Sequence, residues 1–191
     1  MKKPVLFLAA LLAAAGVSAQ IVKLQTSEGD IRVQLNAEKA PKTVANFVQY
    51  VKAGHYNGVV FHRVIDGFMI QTGGYDAKLN QRNGQGLQPR PTRPPIPLES
   101  HNGLSNLRGT IAMARTNDPN SATAQFFINV NDNFMLDGQP DNPATGYAVF
   151  GQVIEGMDVV DKIRMAPVSA YQMHQHLPVN AITINKATVE K

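Results

Sequence analysis

The sequence of 191 residues contains no cysteine. Disulfides, a thiolate nucleophile and cysteine-ligated metals are therefore excluded. Charge is also scarce, because only 17% of the residues are charged and the net charge of +4 includes Lys2 and Lys3. Without these two lysines the balance falls to +2, which is too small to indicate nucleic acid as a partner. The hydrophobic share of 43% is typical of a globular domain with a sizeable core.

Several familiar site motifs are missing as well. The sequence has no G-x-S-x-G nucleophile turn, no G-x-x-x-x-G-K-[ST] phosphate loop and no H-E-x-x-H zinc helix. His174 and His176 could in principle ligate a metal, but without a third ligand a solvated loop is the favoured interpretation. We expect no metal site, and a metal-binding protein that uses these two histidines stays an alternative.

The one long apolar run lies at the N-terminus. Residues 1–19 have a lysine-containing start, an apolar middle and the small-residue end Val17-Ser18-Ala19, which is the pattern of a signal peptide cleaved after Ala19. The run is shorter than the roughly 20 residues that a membrane-spanning helix needs. We expect export, a mature chain of residues 20–191 forming a single domain, and no stable membrane association after cleavage.

Many short strand patterns follow, separated by turn signals. Two segments, residues 40–54 and 156–164, instead carry the apolar spacing of helices. Residues 75–97 are a long polar segment, and its five prolines within residues 89–97 exclude a central strand and favour a surface loop wrapped on the domain. The pattern predicts a mainly β fold, either an antiparallel barrel or a sandwich, with two helices.

Residues 59–65 read as a strand that carries an arginine among apolar side chains. Strict alternation predicts one face formed by Val60, His62 and Val64 and another formed by Phe61, Arg63 and Ile65. An arginine in this position either pairs with an acid, such as Asp66 or Glu99, or is kept for function. His62 has two interpretations too, a hydrogen-bonded core histidine or a direct chemical role.

Three motifs resemble those of the cyclophilin family of peptidyl-prolyl cis-trans isomerases. They are F-H-R-V-I-D-G-F-M-I-Q-T-G-G at residues 61–74, G-T-I-A-M-A-R at 109–115 and Q-F-F-I-N-V at 125–130, and the resemblance extends over residues 21–189. It implies an eight-stranded antiparallel closed barrel capped by two α-helices. It also implies a non-covalent isomerisation of X-Pro bonds without a cofactor, acting on proline-containing segments of unfolded or folding proteins. With the signal peptide, the chain is similar to the periplasmic members from Gram-negative bacteria, and we expect a monomer.

The resemblance also implies a site. Arg63 matches the catalytic arginine. The positions matched to substrate binding are His62, Ile65, Phe68, Met69, Gln71, Ala114, Arg115, Thr116, Gln125, Phe127, Met135, Leu136 and Tyr147. Phe68, Met69, Phe127 and Leu136 would form the apolar pocket for proline. Gln71 and Gln125 would be its polar neighbours, and residues 114–116 would contact the substrate backbone.

Three positions depart from the usual family pattern. Arg115 stands where asparagine is usual, Met135 where many relatives carry an aromatic residue, and Tyr147 where a histidine is common. The neighbouring Phe134 leaves the register at Met135 open. Because position 115 is used through its main chain, we expect Arg115 to preserve binding and to alter the charge of the rim. We expect weak cyclosporin binding.

A second class of function stays open, a proline-recognising chaperone or binding module in which turnover does not matter. The presence of both Arg63 and Gln71 favours the enzyme, because binding alone would need only the apolar pocket.

Overall fold

The computed structural model describes residues 20–76, 87–171 and 174–190. Eleven strands are found in these ranges: β1 Ile21–Thr26, β2 Gly29–Leu35, β3 Val59–Val60, β4 Arg63–Ile65, β5 Met69–Thr72, β6 Thr110–Met113, β7 Phe126–Asn129, β8 Val149–Glu155, β9 Val168–Tyr171, β10 His174–Pro178 and β11 Thr183–Val189. Two helices accompany them, α1 Pro41–Lys52 and α2 Met157–Arg164. The predicted signal peptide and residues 77–86 of the predicted loop lie outside the described residues.

Nine strands form one antiparallel sheet in the order β3-β11-β1-β2-β8-β6-β7-β5-β4, and β9 pairs with β10 separately. The two outermost strands, β3 and β4, are consecutive in the chain and are separated only by Phe61 and His62. Backbone N–H groups in this segment donate to β5 and its extension, from Val60 to the Tyr75 carbonyl at 3.0 Å and from His62 to the Gln71 carbonyl at 3.1 Å. The sheet therefore curls back on itself.

The prediction of a mainly β fold with two helices is confirmed, and the count of eight strands is replaced by nine in the main sheet. The extra strand arises because the predicted strand at residues 59–65 is interrupted. His174 and His176, predicted to lie in a solvated loop, belong to β10 instead. Within the described residues, no helix is long and apolar enough to cross a membrane.

The interruption also changes which side chains share a face. Val59, Phe61 and Val64 all belong to the main hydrophobic core, whereas Arg63 is exposed. The predicted grouping of Phe61 with Arg63 is therefore wrong. Alternation holds only while the strand is regular, and the break after Val60 shifts the parity by one residue.

Helix α1 closes one side of the core. Its buried stripe includes Phe47, whose ring meets that of Phe126 edge-on with centroids 5.2 Å apart. Both helices end within two residues of their predicted bounds, an offset that is ordinary for fraying helix termini.

The proline-rich segment lies against α1. The Arg93 backbone N–H donates to the Tyr50 hydroxyl at 2.7 Å, and the Ile96 N–H donates to the Ala122 carbonyl at 3.0 Å. The N-cap residue of helix α1 is Ala40, which offers no side-chain cap. Glu99 supplies one instead, accepting hydrogen bonds from the Lys42 N–H at 3.1 Å and from the Thr43 N–H at 2.8 Å. A carboxylate at a helix N-terminus satisfies free N–H donors and complements the helix dipole.

Replacing Glu99 should therefore destabilise the fold. We expect Glu99→Ala to lower the free energy of unfolding by about 1 kcal/mol, the usual size of a lost N-cap. Urea unfolding followed by circular dichroism measures this change. Glu38→Ala, at an exposed glutamate just before the helix, is the matched control. Equal effects of the two substitutions would contradict the capping role.

Candidate active site

The candidate site follows one row of paired residues across the outer face of the sheet. Arg63 of β4 pairs with Gln71 of β5, and Gln71 pairs with Phe127 of β7. Phe127 pairs in turn with Ala112 of β6, and Ala112 with Val149 of β8. Residues directly opposite each other in neighbouring strands point to the same side of a sheet. Antiparallel pairing thus brings together five positions from distant parts of the sequence.

An apolar floor lies on this outer face, separate from the main core. It is a small cluster of the buried residues Met69, Ala112, Phe127 and Val149. Partly buried side chains pack over it, among them Phe68, Leu136 and Tyr147. The rings of Phe127 and Tyr147 meet edge-on with centroids 5.6 Å apart.

A cavity of about 180 Å³ opens above this floor. All of its lining residues were predicted from the sequence: Arg63, Phe68, Met69, Gln71, Ala114, Arg115, Phe127, Leu136 and Tyr147. This lining is apolar apart from two arginines, one glutamine and the tyrosine hydroxyl. The volume lies below the roughly 300–1,000 Å³ of pockets that hold drug-sized ligands, so the cavity suits a single ring-sized side chain.

Neutral groups hold Arg63 at the edge of the cavity. Its Nη1 lies 3.4 Å from Gln71 Oε1 and 3.9 Å from Met69 Sδ, and its guanidinium carbon lies 5.9 Å from the centroid of the Phe68 ring. Gln71 is itself fixed, because its Nε2 donates to Gln125 Oε1 at 2.9 Å.

Arg63 does not form the structural ion pair with Asp66 or Glu99 that was its alternative role. Asp66 pairs with Arg164, and Glu99 caps α1. Arg63 forms no salt bridge within the described parts of the chain. The guanidinium therefore keeps its charge unpaired beside an apolar cavity.

Gln125 can approach Gln71 because two glycines directly follow β5. A Cβ on Gly74 would lie 2.6 Å from Gln125 Nε2, and a Cβ on Gly73 would lie 2.6 Å from the Ala124 carbonyl oxygen. Gly73 also has a φ of +95°, which side chains other than glycine rarely adopt. The Gly73-Gly74 pair thus allows the close contact of the two strands that anchors Arg63 through Gln71.

Five predicted site residues do not line the cavity. Gln125 lies behind Gln71, Ile65 packs against the floor cluster, and Thr116 is exposed in the loop after β6. Met135 is 76% exposed, and neighbouring Phe134 is 63% exposed. Neither takes the predicted pocket position, because the short 3-10 helix Phe134–Leu136 turns only Leu136 toward the cavity.

His62, the fifth, is buried behind the groove. Its ring contacts Tyr75, with centroids 4.7 Å apart, and lies 6.0 Å from the ring of His174. Burial, with a smaller contribution from the nearby His174, lowers the pKa of His62 to about 3. Nδ1 has no hydrogen-bond partner among the described residues, so a proton there would be buried without an acceptor. The core interpretation of His62 fits this position.

Sequence reasoning missed Ala112 and Val149, which complete the floor. Ala112 lies in β6, whose four residues are all buried, and Val149 begins a run of three buried residues in β8, so alternation does not distinguish their outward side from their inward side. The described residues contain no group of three or more His, Cys, Asp or Glu side chains that could hold a metal ion.

Comparison with known proteins identifies the family. The family described as cyclophilin-type peptidyl-prolyl cis-trans isomerase matches residues 21–189. The chain is 50% identical over 169 residues to peptidyl-prolyl cis-trans isomerase cyp18 of Streptomyces antibioticus, covering 88% of this chain and 97% of that protein. It is 46% identical over 172 residues to peptidyl-prolyl cis-trans isomerase B of Escherichia coli, covering 90% and 100%.

Solved structures agree with the sequence comparisons. The chain matches the crystal structure of a Cryptosporidium parvum cyclophilin-type isomerase with a TM-score of 0.73 and 26% identity, covering 91% of this chain and 99% of that one. A structure of the same protein in the presence of the dipeptide Ala-Pro matches with a TM-score of 0.72. This chain belongs to the cyclophilin-type peptidyl-prolyl cis-trans isomerases, which confirms the predicted family and class of enzyme.

The buried His62 should make stability depend on pH. An unfolded histidine has a pKa near 6.5, whereas His62 in the fold has a pKa of about 3. Below about pH 6.5 the unfolded chain binds a proton that the folded chain refuses, so stability falls progressively as the pH drops toward 3. Between pH 7 and pH 5, the wild type should lose about 2 kcal/mol more than His62→Gln.

Urea unfolding at both pH values tests this. His176→Gln, at an exposed histidine, is the control and should keep the pH dependence of the wild type. The same pH dependence in His62→Gln and the wild type would refute the assignment.

Proposed function

We propose that this chain accelerates rotation about X-Pro peptide bonds in unfolded or folding exported proteins, with Arg63 as the catalytic residue. The observation that carries the proposal is the placement of a guanidinium, unpaired by any acid of the described residues, at the edge of an apolar cavity sized for one ring. The Cryptosporidium parvum relative was crystallised in the presence of Ala-Pro, which supports a proline-containing ligand for this cavity.

Isomerisation of an X-Pro bond requires only that the barrier to rotation be lowered. Rotation about an amide bond faces a barrier of roughly 18–20 kcal/mol because resonance gives the C–N bond partial double-bond character. The cis and trans X-Pro forms differ by only about 0.5–1 kcal/mol, so a catalyst needs only to lower the barrier. No bond is made or broken, and the proposed mechanism requires no cofactor.

Arg63 would act on the twisted transition state. When resonance is lost, the prolyl nitrogen regains its lone pair and can accept a hydrogen bond that the planar amide cannot. An interaction made only in the transition state raises the rate, whereas one made equally in both states does not. A charge-assisted hydrogen bond of about 1.5–3 kcal/mol corresponds to roughly one to two orders of magnitude in rate.

The apolar floor would contribute in the same direction. The planar amide is more charge-separated than the twisted one, so it loses more when it leaves water for a cavity built from Met69, Phe127 and Leu136. Gln71 would keep the guanidinium aimed, since its amide is held by Gln125.

Removing the guanidinium tests this mechanism. We expect Arg63→Ala to lower kcat/KM for an X-Pro peptide about 10- to 100-fold, because the transition-state hydrogen bond is lost. NMR exchange spectroscopy on the peptide measures the rate, and a titration measures peptide binding, which should change far less. Arg93→Ala, at an exposed arginine on the proline-rich segment, is the matched control.

Unchanged acceleration by Arg63→Ala would overturn the role of Arg63. A wild type that bound the peptide without accelerating its isomerisation would favour the alternative, a proline-recognising chaperone.

We also propose that the protein works in the periplasm as a monomer after removal of residues 1–19. The support is the sequence of the N-terminus, with its lysines, apolar run and small residues before Gln20. Expression of the full chain in a Gram-negative host should release a mature protein into the periplasmic fraction, and N-terminal sequencing should begin at Gln20. A cytoplasmic protein that retains Met1 would contradict this proposal.

A further inference from the structure

Arg115 is a second arginine of the cavity wall, and no acid among the described residues pairs with its charge. Its Nε donates to the Gly146 carbonyl at 2.9 Å and its Nη1 to the Thr116 carbonyl at 2.9 Å. Its guanidinium carbon lies 4.9 Å from the centroid of the Tyr147 ring. All of these partners are neutral. Within the described residues, Arg115 forms no salt bridge.

These contacts fix the orientation of the side chain but leave donors available. A guanidinium has five N–H donors, and the contacts of Arg115 account for two of them. Tyr147, beneath the guanidinium, packs in turn on Phe127 of the floor. Because the guanidinium is already held in place, little further conformational entropy of the protein would be lost when a ligand bound to it.

The two arginines stand at opposite ends of the groove. Arg63 is on β4, and Arg115 follows the end of β6, with β5 and β7 between them. Strands lie about 4.8 Å apart, so the three steps from β4 to β6 separate the two backbones by roughly 14 Å. An extended peptide advances about 3.3–3.6 Å per residue. About four residues would span that distance from backbone to backbone. Both long arginine side chains reach into the same cavity and shorten it, so a peptide with its proline in the cavity brings a side chain within two residues of the proline near Arg115.

The lining of the cavity offers no counter-ion. It contains two arginines and no aspartate or glutamate. We propose that Arg115 makes the groove select X-Pro segments that carry a carboxylate side chain within two residues of the proline. This inference rests on the proposed isomerase function and deepens it by naming a class of substrate.

The expected preference is modest. A solvent-accessible ion pair contributes about 0.2–1 kcal/mol, so an acidic peptide should have a kcat/KM roughly two- to fivefold above that of its amide counterpart. The preference should shrink as salt is added, because exposed charges are screened. A lysine at the same position should lower kcat/KM below that of the amide peptide.

The test uses peptides blocked at both ends, so that a terminal carboxylate cannot imitate a side chain. Each peptide carries one X-Pro bond and one test residue, which is Glu, Gln or Lys. The test residue is placed in turn at each of the two positions before the proline and each of the two positions after it. NMR exchange spectroscopy gives kcat/KM for the wild type, Arg115→Gln and Arg115→Lys. We expect the Glu/Gln ratio to exceed one at one position or more in the wild type and in Arg115→Lys, and to fall to one in Arg115→Gln.

The Glu/Gln ratio of kcat/KM distinguishes a loss of specificity from structural damage, because a damaged groove would lower kcat/KM for the Glu and the Gln peptide alike. Lys52→Gln is the matched control: it removes one positive charge from the exposed side of α1, whose buried side packs on the opposite face of the sheet, and should keep the wild-type ratio. A ratio that survives in Arg115→Gln would overturn the proposal. So would a wild-type ratio of one at every position while the Gln peptides are still accelerated, a result that leaves the isomerase function intact.

Discussion

The exposure of Arg63 depends on a break of two residues in the strand that carries it. Phe61 must be buried, because its ring belongs to the main core. In a regular strand Arg63 would share that face and be drawn into the core as well. The break at Phe61 and His62 changes the parity, so that Val64 continues the core and Arg63 faces the groove. The same break joins the two outermost strands of the sheet, so one local irregularity contributes both to its curl and to the site.

One face of the sheet contributes mainly to stability, and the other forms the candidate site. The inner face packs with α1 into the main core, and the outer face supports the small cluster of Met69, Ala112, Phe127 and Val149. Strands hold this floor, while a 3-10 helix supplies Leu136 and loops supply Arg115 and Tyr147 along its rim. A floor on strands with a rim outside them allows the charge around the groove to change without disturbing the residues that would carry the reaction.

Within the part of the chain that the structure describes, the two guanidiniums of the groove are held by neutral partners alone. Gln71 positions Arg63, and the carbonyls of Gly146 and Thr116 position Arg115. Carboxylates in their place would stabilise the same orientations, but they would also neutralise the charge and occupy the donors. Neutral partners keep both arginines oriented and leave their charge for a ligand. The two acids considered as ion-pair partners of Arg63 are engaged elsewhere, Asp66 by Arg164 and Glu99 by α1.

The sequence by itself determined the family, the β class, both helices to within two residues, and every residue that lines the cavity, because these depend on local periodicity and on long motifs. Other features were decided by the tertiary structure alone. The face on which Phe61 lies depends on a break that alternation does not reveal, and the roles of Ala112 and Val149 depend on pairing between strands far apart in the chain. Met135, predicted at the pocket, is exposed by a single 3-10 turn that directs Leu136 inward. Local pattern specifies which elements form, whereas register and burial, which select the residues that meet, arise only when the sheet curls around its core.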